Sequence, residues 1–282
     1  MRSAIEAFKN HWPEYLIEAC CLGAFMVSAC YFAAALFYPG SPLTALNATL
    51  RGVLMGLAMG STAIAIICSP LGKRSGAHFN PAVTLTFLRL KKIAAADAAF
   101  YIVMQFIGGM CGVSFAWLTL REVLSDGSVR FVATVPGSYG TLAAFAAEAV
   151  ISFLMMTMVL FTSNSRKLAR FTPFLAGLLL ATFISLENPL SGMSMNPART
   201  FASAFVGQIW NGWWIYFTAP PIGMLVASEL FVWVKGLKAV RCAKLHHRNR
   251  TRCIFNCGYG EKENVIEITK EPDLFPNLVG LF

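Results

Sequence analysis

In this chain of 282 residues 56% are hydrophobic and 13% charged, far below the roughly one quarter charged that a soluble protein of this size carries. The net charge of +9 does not imply a nucleic-acid partner, because its placement decides the matter. Of 23 Lys and Arg, all but Arg51, Arg121, Arg130 and Arg199 fall in the N-terminal segment, the 70–92 loop, the 163–171 loop or the tail after Val234. Such asymmetry is the positive-inside pattern of a multi-pass membrane protein and predicts that both termini are cytoplasmic. Eight cysteines fit no disulfide framework. Cys20, Cys21, Cys30, Cys68 and Cys111 sit in apolar runs, where Cys behaves as a small hydrophobe. Cys242, Cys253 and Cys257 fall in a tail expected to be cytoplasmic and reduced.

In chain order, residues 1–11 read as a short polar arm. Span one covers about 12–38 and closes at the Pro39-Gly40-Ser41-Pro42 turn. It is too long for a signal peptide, carries Glu18 and is followed by further spans. Span two, about 46–68, is rich in small residues that allow close helix approach in lipid. Spans three to six follow at about 95–120, 141–162, 173–186 and 213–234, and nothing reads as β-structure. After Lys235 a basic run gives way to an acidic end, and a flexible cytoplasmic tail over 236–282 is expected. Cys242, His246, His247, Cys253 and Cys257 are metal-ligand types, but their spacing matches no familiar zinc template, and no metal is expected.

One stretch occurs twice. Ser75-Gly76-Ala77-His78-Phe79-Asn80-Pro81-Ala82-Val83-Thr84 returns as Ser191-Gly192-Met193-Ser194-Met195-Asn196-Pro197-Ala198-Arg199-Thr200. Each copy is a helix start, with Asn at the N-cap and Pro at the first helical position. Only about three turns of apolar residues follow each, some 15 Å, half of a ~30 Å hydrocarbon core. Neither copy spans a bilayer alone; two entering from opposite faces and meeting Asn to Asn would make one span. Each half of the chain then holds three spans and one half-helix, and an odd number inverts the second half relative to the first. The expected fold is all-α and integral to the membrane, with six transmembrane helices and two re-entrant half-helices. The channel domain covers 12–235, with repeat halves at about 12–120 and 141–235.

With its duplicated Asn-Pro-Ala and the Arg199 that follows the second copy, the chain resembles the aquaporin, or major intrinsic protein, family over roughly residues 12–235. The resemblance implies a passive channel for water, with glycerol or other small neutral solutes as further cargo, and excludes catalysis, cofactors and nucleic acid. It also implies a homotetramer in the lipid bilayer. The pore motifs are Asn80, Pro81, Ala82, Asn196, Pro197 and Ala198. Two positive helix-dipole ends and two amide NH2 groups at the centre would orient water and repel cations. By the same resemblance Arg199 forms the charged wall of the filter, joined by Met193, Ile184 and Met59. The span-two position rests on a one-residue offset, so Met55 and Gly60 remain alternatives to Met59. An apolar wall beside one Arg suits a solute with a CH face and an OH face, whereas Thr200 and Tyr216-Phe217 are closer to the water-selective pattern.

Glu18 and Glu148 occupy matching spans of the two halves. Buried carboxylates suggest a proton relay, but the family pattern favours bracing of the half-helix loops through backbone N–H bonds. Gln105 lines the pore or pairs between helices, and His78 reads as a hydrogen-bonded loop residue. Asp97, Glu187 and Glu229 read as span-end groups. A secondary transporter could share inverted repeats and broken helices, but both breaks here carry Asn and lack a coupling carboxylate. A junction protein with a vestigial pore would not need Asn80, Asn196 and Arg199 intact.

Overall fold

The computed structural model describes residues 4–247 and 251–259. Among these, the helices in chain order are α1 (Ala4–Phe37), α2 (Ala48–Cys68), α3 (Pro70–Ser75), α4 (Pro81–Arg89), α5 (Ala95–Leu120), α6 (Glu122–Ser125), α7 (Gly140–Ser163), α8 (Thr172–Ser191), α9 (Pro197–Gly207) and α10 (Trp213–Lys235). No strand is present among the described residues. Six helices, α1, α2, α5, α7, α8 and α10, are long and apolar enough to cross a membrane. The short α4 and α9 are the two half-helices.

The packing follows the inverted repeat. Helix α1 packs on α5 and α7 packs on α10, while α2 and α8 meet each other across the middle. Small residues set these contacts. A Cβ on Gly108 of α5 would lie 2.0 Å from the Ala19 carbonyl of α1, and one on Gly60 of α2 would lie 2.4 Å from the Gly177 carbonyl of α8. Lipid supplies no hydrophobic drive between helices, so such backbone-to-backbone approach carries the association. The large side chains turned outward, such as Leu57, Val103, Phe115, Leu118, Leu178 and Trp233, form the apolar exterior a bilayer requires. The chain is a multi-pass membrane protein.

Three expectations need correction. First, residues 4–11 are not a separate arm but the first turns of α1. Asp97 of α5 holds this end: it accepts from Tyr15 Oη at 2.5 Å and pairs with His11 Nδ1 at 2.8 Å. Asp97 sits at a span end, in the first turn of α5, as expected, and there it is buried and bonded. Second, α8 continues to Ser191, beyond the expected end near 186, because Gly192 in the left-handed conformation (φ 74°) supplies the stop.

Third, the tail is not free over the described part of 236–259. Val240, Cys242, Ala243, Leu245 and Phe255 are buried in the same core as α4 and α5. Backbone bonds tie it down: Leu245 N donates to Gly76 O at 3.2 Å and Asn256 N to Lys92 O at 2.9 Å. The Arg252 guanidinium donates to Asn10 O at 3.1 Å, so the tail and the start of α1 share one end of the bundle, called here the terminal face. The remainder of the expected flexible segment, 260–282, lies outside the described residues.

Candidate functional site

The two repeat loops are held by two carboxylates. Glu18 of α1 accepts from Ser75 Oγ (2.7 Å), His78 N (3.1 Å), Phe79 N (2.6 Å) and Gln105 Nε2 (2.8 Å). Glu148 of α7 accepts from Ser191 Oγ (2.7 Å), Ser194 N (2.7 Å) and Met195 N (2.7 Å). Both side chains are fully buried. Two tyrosines repeat the scheme from the third span of each half: Tyr101 Oη donates to Ser75 O at 2.7 Å and Tyr216 Oη to Ser191 O at 2.5 Å. Burying backbone N–H groups without partners is costly, and each carboxylate removes that cost for its loop.

These anchors hold an unusual backbone. Ala77 and Phe79 in the first loop, and Met193 and Met195 in the second, all have positive φ, at 55°, 32°, 48° and 53°. Each such conformation costs on the order of 1–3 kcal/mol and persists only when its surroundings over-determine it. The result is that α4 and α9 begin at the centre of the bundle, facing each other.

At that meeting point each Asn caps its own helix and reaches across. Asn80 Oδ1 accepts from Ala82 N at 2.9 Å, and Asn196 Oδ1 accepts from Ala198 N at 3.1 Å and Arg199 N at 3.2 Å. Asn80 Nδ2 donates to Met195 O and Asn196 Nδ2 to Phe79 O, both at 2.8 Å. An amide nitrogen carries two hydrogens. One from each is committed across the junction, leaving one for the cavity both residues line. Pro81 and Pro197 take the first helical position, and Ala82 and Ala198 are fully buried behind them.

Two chambers meet here. The outer one, about 260 Å³, is lined by Arg199, Met193, Ile184, Met59 and Met55 among others. The inner one, about 90 Å³, has Asn80, Asn196 and His78 in its wall. Phe25, Leu180 and Ser194 line both, so the chambers abut. Arg199 Nη1 donates to Val132 O at 2.6 Å, which fixes the guanidinium against the outer loop. Of the three span-two candidates, Met55 and Met59 face the outer chamber, whereas Gly60 is not in its wall and is taken up by the close contact with α8.

Gln105 is a pairing residue: it donates to Glu18 and, at 3.1 Å, to Thr84 Oγ1, and lines neither chamber. His78 uses both ring nitrogens. Nε2 contacts Ala243 O at 2.8 Å and must carry the proton; Nδ1 meets Thr84 Oγ1 at 3.1 Å. Sequence reasoning had no signal for the Ala243 contact, since it joins residues far apart in the chain. Glu229 forms an exposed ion pair with Arg89 at 2.9 Å, and Glu187 is buried.

On the terminal face a second group gathers. One ligand atom each from Cys242, His247, Cys253 and Cys257 lie within 4.8 Å of one another. The sequence spacing gave no such set, and it differs from the sequence list by one residue: His246 turns instead toward Cys68, at 4.0 Å. Burial pushes the Cys242 thiol up, whereas hydrogen bonds from Cys242 and Cys253, with His247 adding to them, hold Cys257 well below the usual thiol range. Burial lowers His247, but its hydrogen bonds to Cys253 and Cys257 outweigh that and raise it to about 9.

Comparison with known proteins agrees with this architecture. The profile of the family described as Major intrinsic protein matches residues 9–231. Aquaporin NIP2-3 of Zea mays is 33% identical over 189 residues, 66% of this chain and 60% of the maize protein. Glycerol uptake facilitator protein-like 6 of Lactiplantibacillus plantarum is 36% identical over 177 residues, 62% of this chain and 81% of its own length. The match thus spans less than two thirds of the plant relative. The X-ray structure of the aquaglyceroporin from Plasmodium falciparum superposes with a TM-score of 0.65 at 19% identity, over 78% of this chain and 95% of that one, a likeness of fold. With a family match across most of its length and two half-helices meeting Asn to Asn, the chain belongs to the major intrinsic protein family.

Proposed function

We propose that this protein is a passive channel for water and small neutral solutes that excludes protons and ions. The observation that carries the reading is the junction of α4 and α9, where Asn80 and Asn196 each keep one amide hydrogen for the cavity at two positive helix ends. A water there turns its oxygen toward both amides, which interrupts the donor chain a proton would follow, while the fixed positive field opposes cations. Arg199, with Met59, Ile184 and Met193, is the selectivity filter of the outer chamber, and Met55 shares its wall. Glu18 and Glu148 are braces whose acceptor capacity is occupied by the loops, which argues against a proton relay.

The terminal face is cytoplasmic, on the strength of the Lys and Arg distribution. The channel sits in the cell membrane as a homotetramer, in keeping with the family. Water is the principal cargo and glycerol the second, since methionine and isoleucine walls opposite one guanidinium offer a CH surface and a donor surface together. Stopped-flow light scattering on reconstituted vesicles tests this, with an impermeant osmolyte and glycerol compared. Water flux above that of empty vesicles, linear in the gradient and indifferent to ion gradients, is expected. Flux equal to empty vesicles, or flux requiring an ion gradient, would overturn the reading.

A further inference from the structure

We propose that Cys242, His247, Cys253 and Cys257 bind one Zn2+ and that this metal clamps the C-terminal segment across the inner chamber of the channel. The donor set fits. Three thiolates and one imidazole make a closed tetrahedral zinc site, in which bond lengths of about 2.3 Å to sulfur and 2.0–2.1 Å to nitrogen put neighbouring ligand atoms roughly 3.6–3.8 Å apart. Here Cys242 Sγ and Cys253 Sγ are 3.6 Å apart, Cys257 Sγ and His247 Nε2 are 3.1 Å apart, and all four ligand atoms lie within 4.8 Å. Cys253 and Cys257, with three residues between them, fall within the Cys-to-Cys spacing of structural zinc sites, whereas the full four-residue pattern matches no familiar template, and it is the fold that brings Cys242 and His247 to them.

The surroundings favour the charged cluster such a site creates. Three thiolates around Zn2+ leave a net charge of −1, and the buried Lys244 packs beside it, its Nζ donating to Arg252 O at 2.8 Å. The His247 ring is stacked on Tyr259 with centroids 4.2 Å apart, which fixes its orientation. Gly258 N donates to Arg241 O at 2.7 Å, holding the two ligand-bearing arms side by side. Beyond one 3-10 turn at Leu237–Ala239, the described tail has no regular secondary structure to hold itself. A metal would add a direct tie between the two irregular arms to the core packing and backbone bonds that already hold them.

The ligand pairs also bracket the residues that reach the channel. Between Cys242 and His247 lie Ala243, whose carbonyl accepts from His78 Nε2 at 2.8 Å, and Leu245, which is part of the inner-chamber wall. Between Cys253 and Cys257 lies Phe255, stacked on His78 with centroids 5.5 Å apart. Both intervals insert at the Gly76–His78 turn that leads into α4. Loss of the metal frees both insertions at once, so the clamp is a regulator of entry from the terminal face. This second half of the proposal rests on the channel reading; the metal site does not.

The test uses the full chain purified under reducing conditions. Metal analysis is expected to give one zinc per chain, and exchange with cobalt to give the intense visible bands of tetrahedral cobalt–thiolate. Cys253→Ser and Cys257→Ser should abolish both; cobalt exchange into the unmodified chain reads the site without any variant. In reconstituted vesicles, stripping zinc with a membrane-permeant chelator should raise water flux by at least about threefold, because an obstructed mouth adds a series barrier. Leu245→Ala should raise flux and blunt the response to the chelator. No zinc or cobalt at stoichiometric level, or a Cys242–Cys253 disulfide in reduced preparations, overturns the metal site. Bound zinc whose removal leaves flux unchanged overturns the clamp. Bound zinc with no water flux from wild type or Leu245→Ala overturns the clamp through the channel reading, with the metal site standing.

Discussion

Asn80 and Asn196 are tied through each other's loops: the amide of Asn80 donates to Met195 O and that of Asn196 to Phe79 O, both at 2.8 Å. The junction of the half-helices is thus a reciprocal pair of hydrogen bonds as well as a meeting of two dipoles. Asn196→Asp should be costly in both respects. It replaces a donor facing the Phe79 carbonyl by an acceptor and places negative charge at a field that was positive. Leaving a buried acceptor unpaired costs about 1–3 kcal/mol. A lower unfolding temperature in detergent and a cation leak in vesicles are the expected readouts. Unchanged values of both would remove the junction from the exclusion mechanism.

The carboxylate braces give a second expectation. In Glu148→Gln the new NH2 would face donors that now point at an oxygen, Ser191 Oγ, Ser194 N and Met195 N. A destabilisation of about 2–4 kcal/mol is expected. Glu18→Gln should behave alike, with Gln105 also losing its acceptor. Thermal unfolding followed by intrinsic fluorescence checks both. A proton relay would instead leave stability untouched while altering proton flux.

The span-two assignments separate by chemistry. Gly60→Ala forces a methyl to 2.4 Å from the Gly177 carbonyl, so it should destabilise the α2–α8 contact by about 1–3 kcal/mol. Met55→Ala and Met59→Ala empty space into the outer chamber and should raise the ratio of glycerol to water flux. A Gly60→Ala protein of normal stability and altered selectivity would reverse the assignment.

The architecture was legible where the chain repeats itself. The duplicated loop frame, the helix-start grammar of Asn80-Pro81 and Asn196-Pro197, and the matching of Glu18 with Glu148 are local signals, and each carboxylate accepts backbone N–H bonds from the loop of its own half. The cross-junction donation was not legible, because it joins residues 115 and 117 positions apart. The order of the described part of the tail was not legible for a related reason. Its composition is that of a solvated segment, and its order comes from Leu245 on Gly76 and Phe255 on His78, contacts composition does not encode. The extension of α1 back to Ala4 likewise depends on Asp97, a partner on another helix.

Arg199 provides the test that divides the labour of exclusion. Its guanidinium is pinned to Val132 O at 2.6 Å in the outer chamber, apart from the Asn80–Asn196 junction in the inner one. Arg199→Val removes a full charge and widens the chamber, so neutral-solute flux should rise and a proton leak should appear. The central field of α4 and α9 survives that change, since it comes from backbone amides and from Asn80 and Asn196. Combining Arg199→Val with Asn196→Asp weakens both barriers in series. Each ~1.4 kcal/mol of barrier is about tenfold in rate, so the double variant should leak more than about tenfold faster than either single one. Proton flux read with a pH dye inside vesicles measures this. An Arg199→Val protein with unchanged solute and proton flux would make Arg199 an anchor for the Val132 loop and move the filter elsewhere.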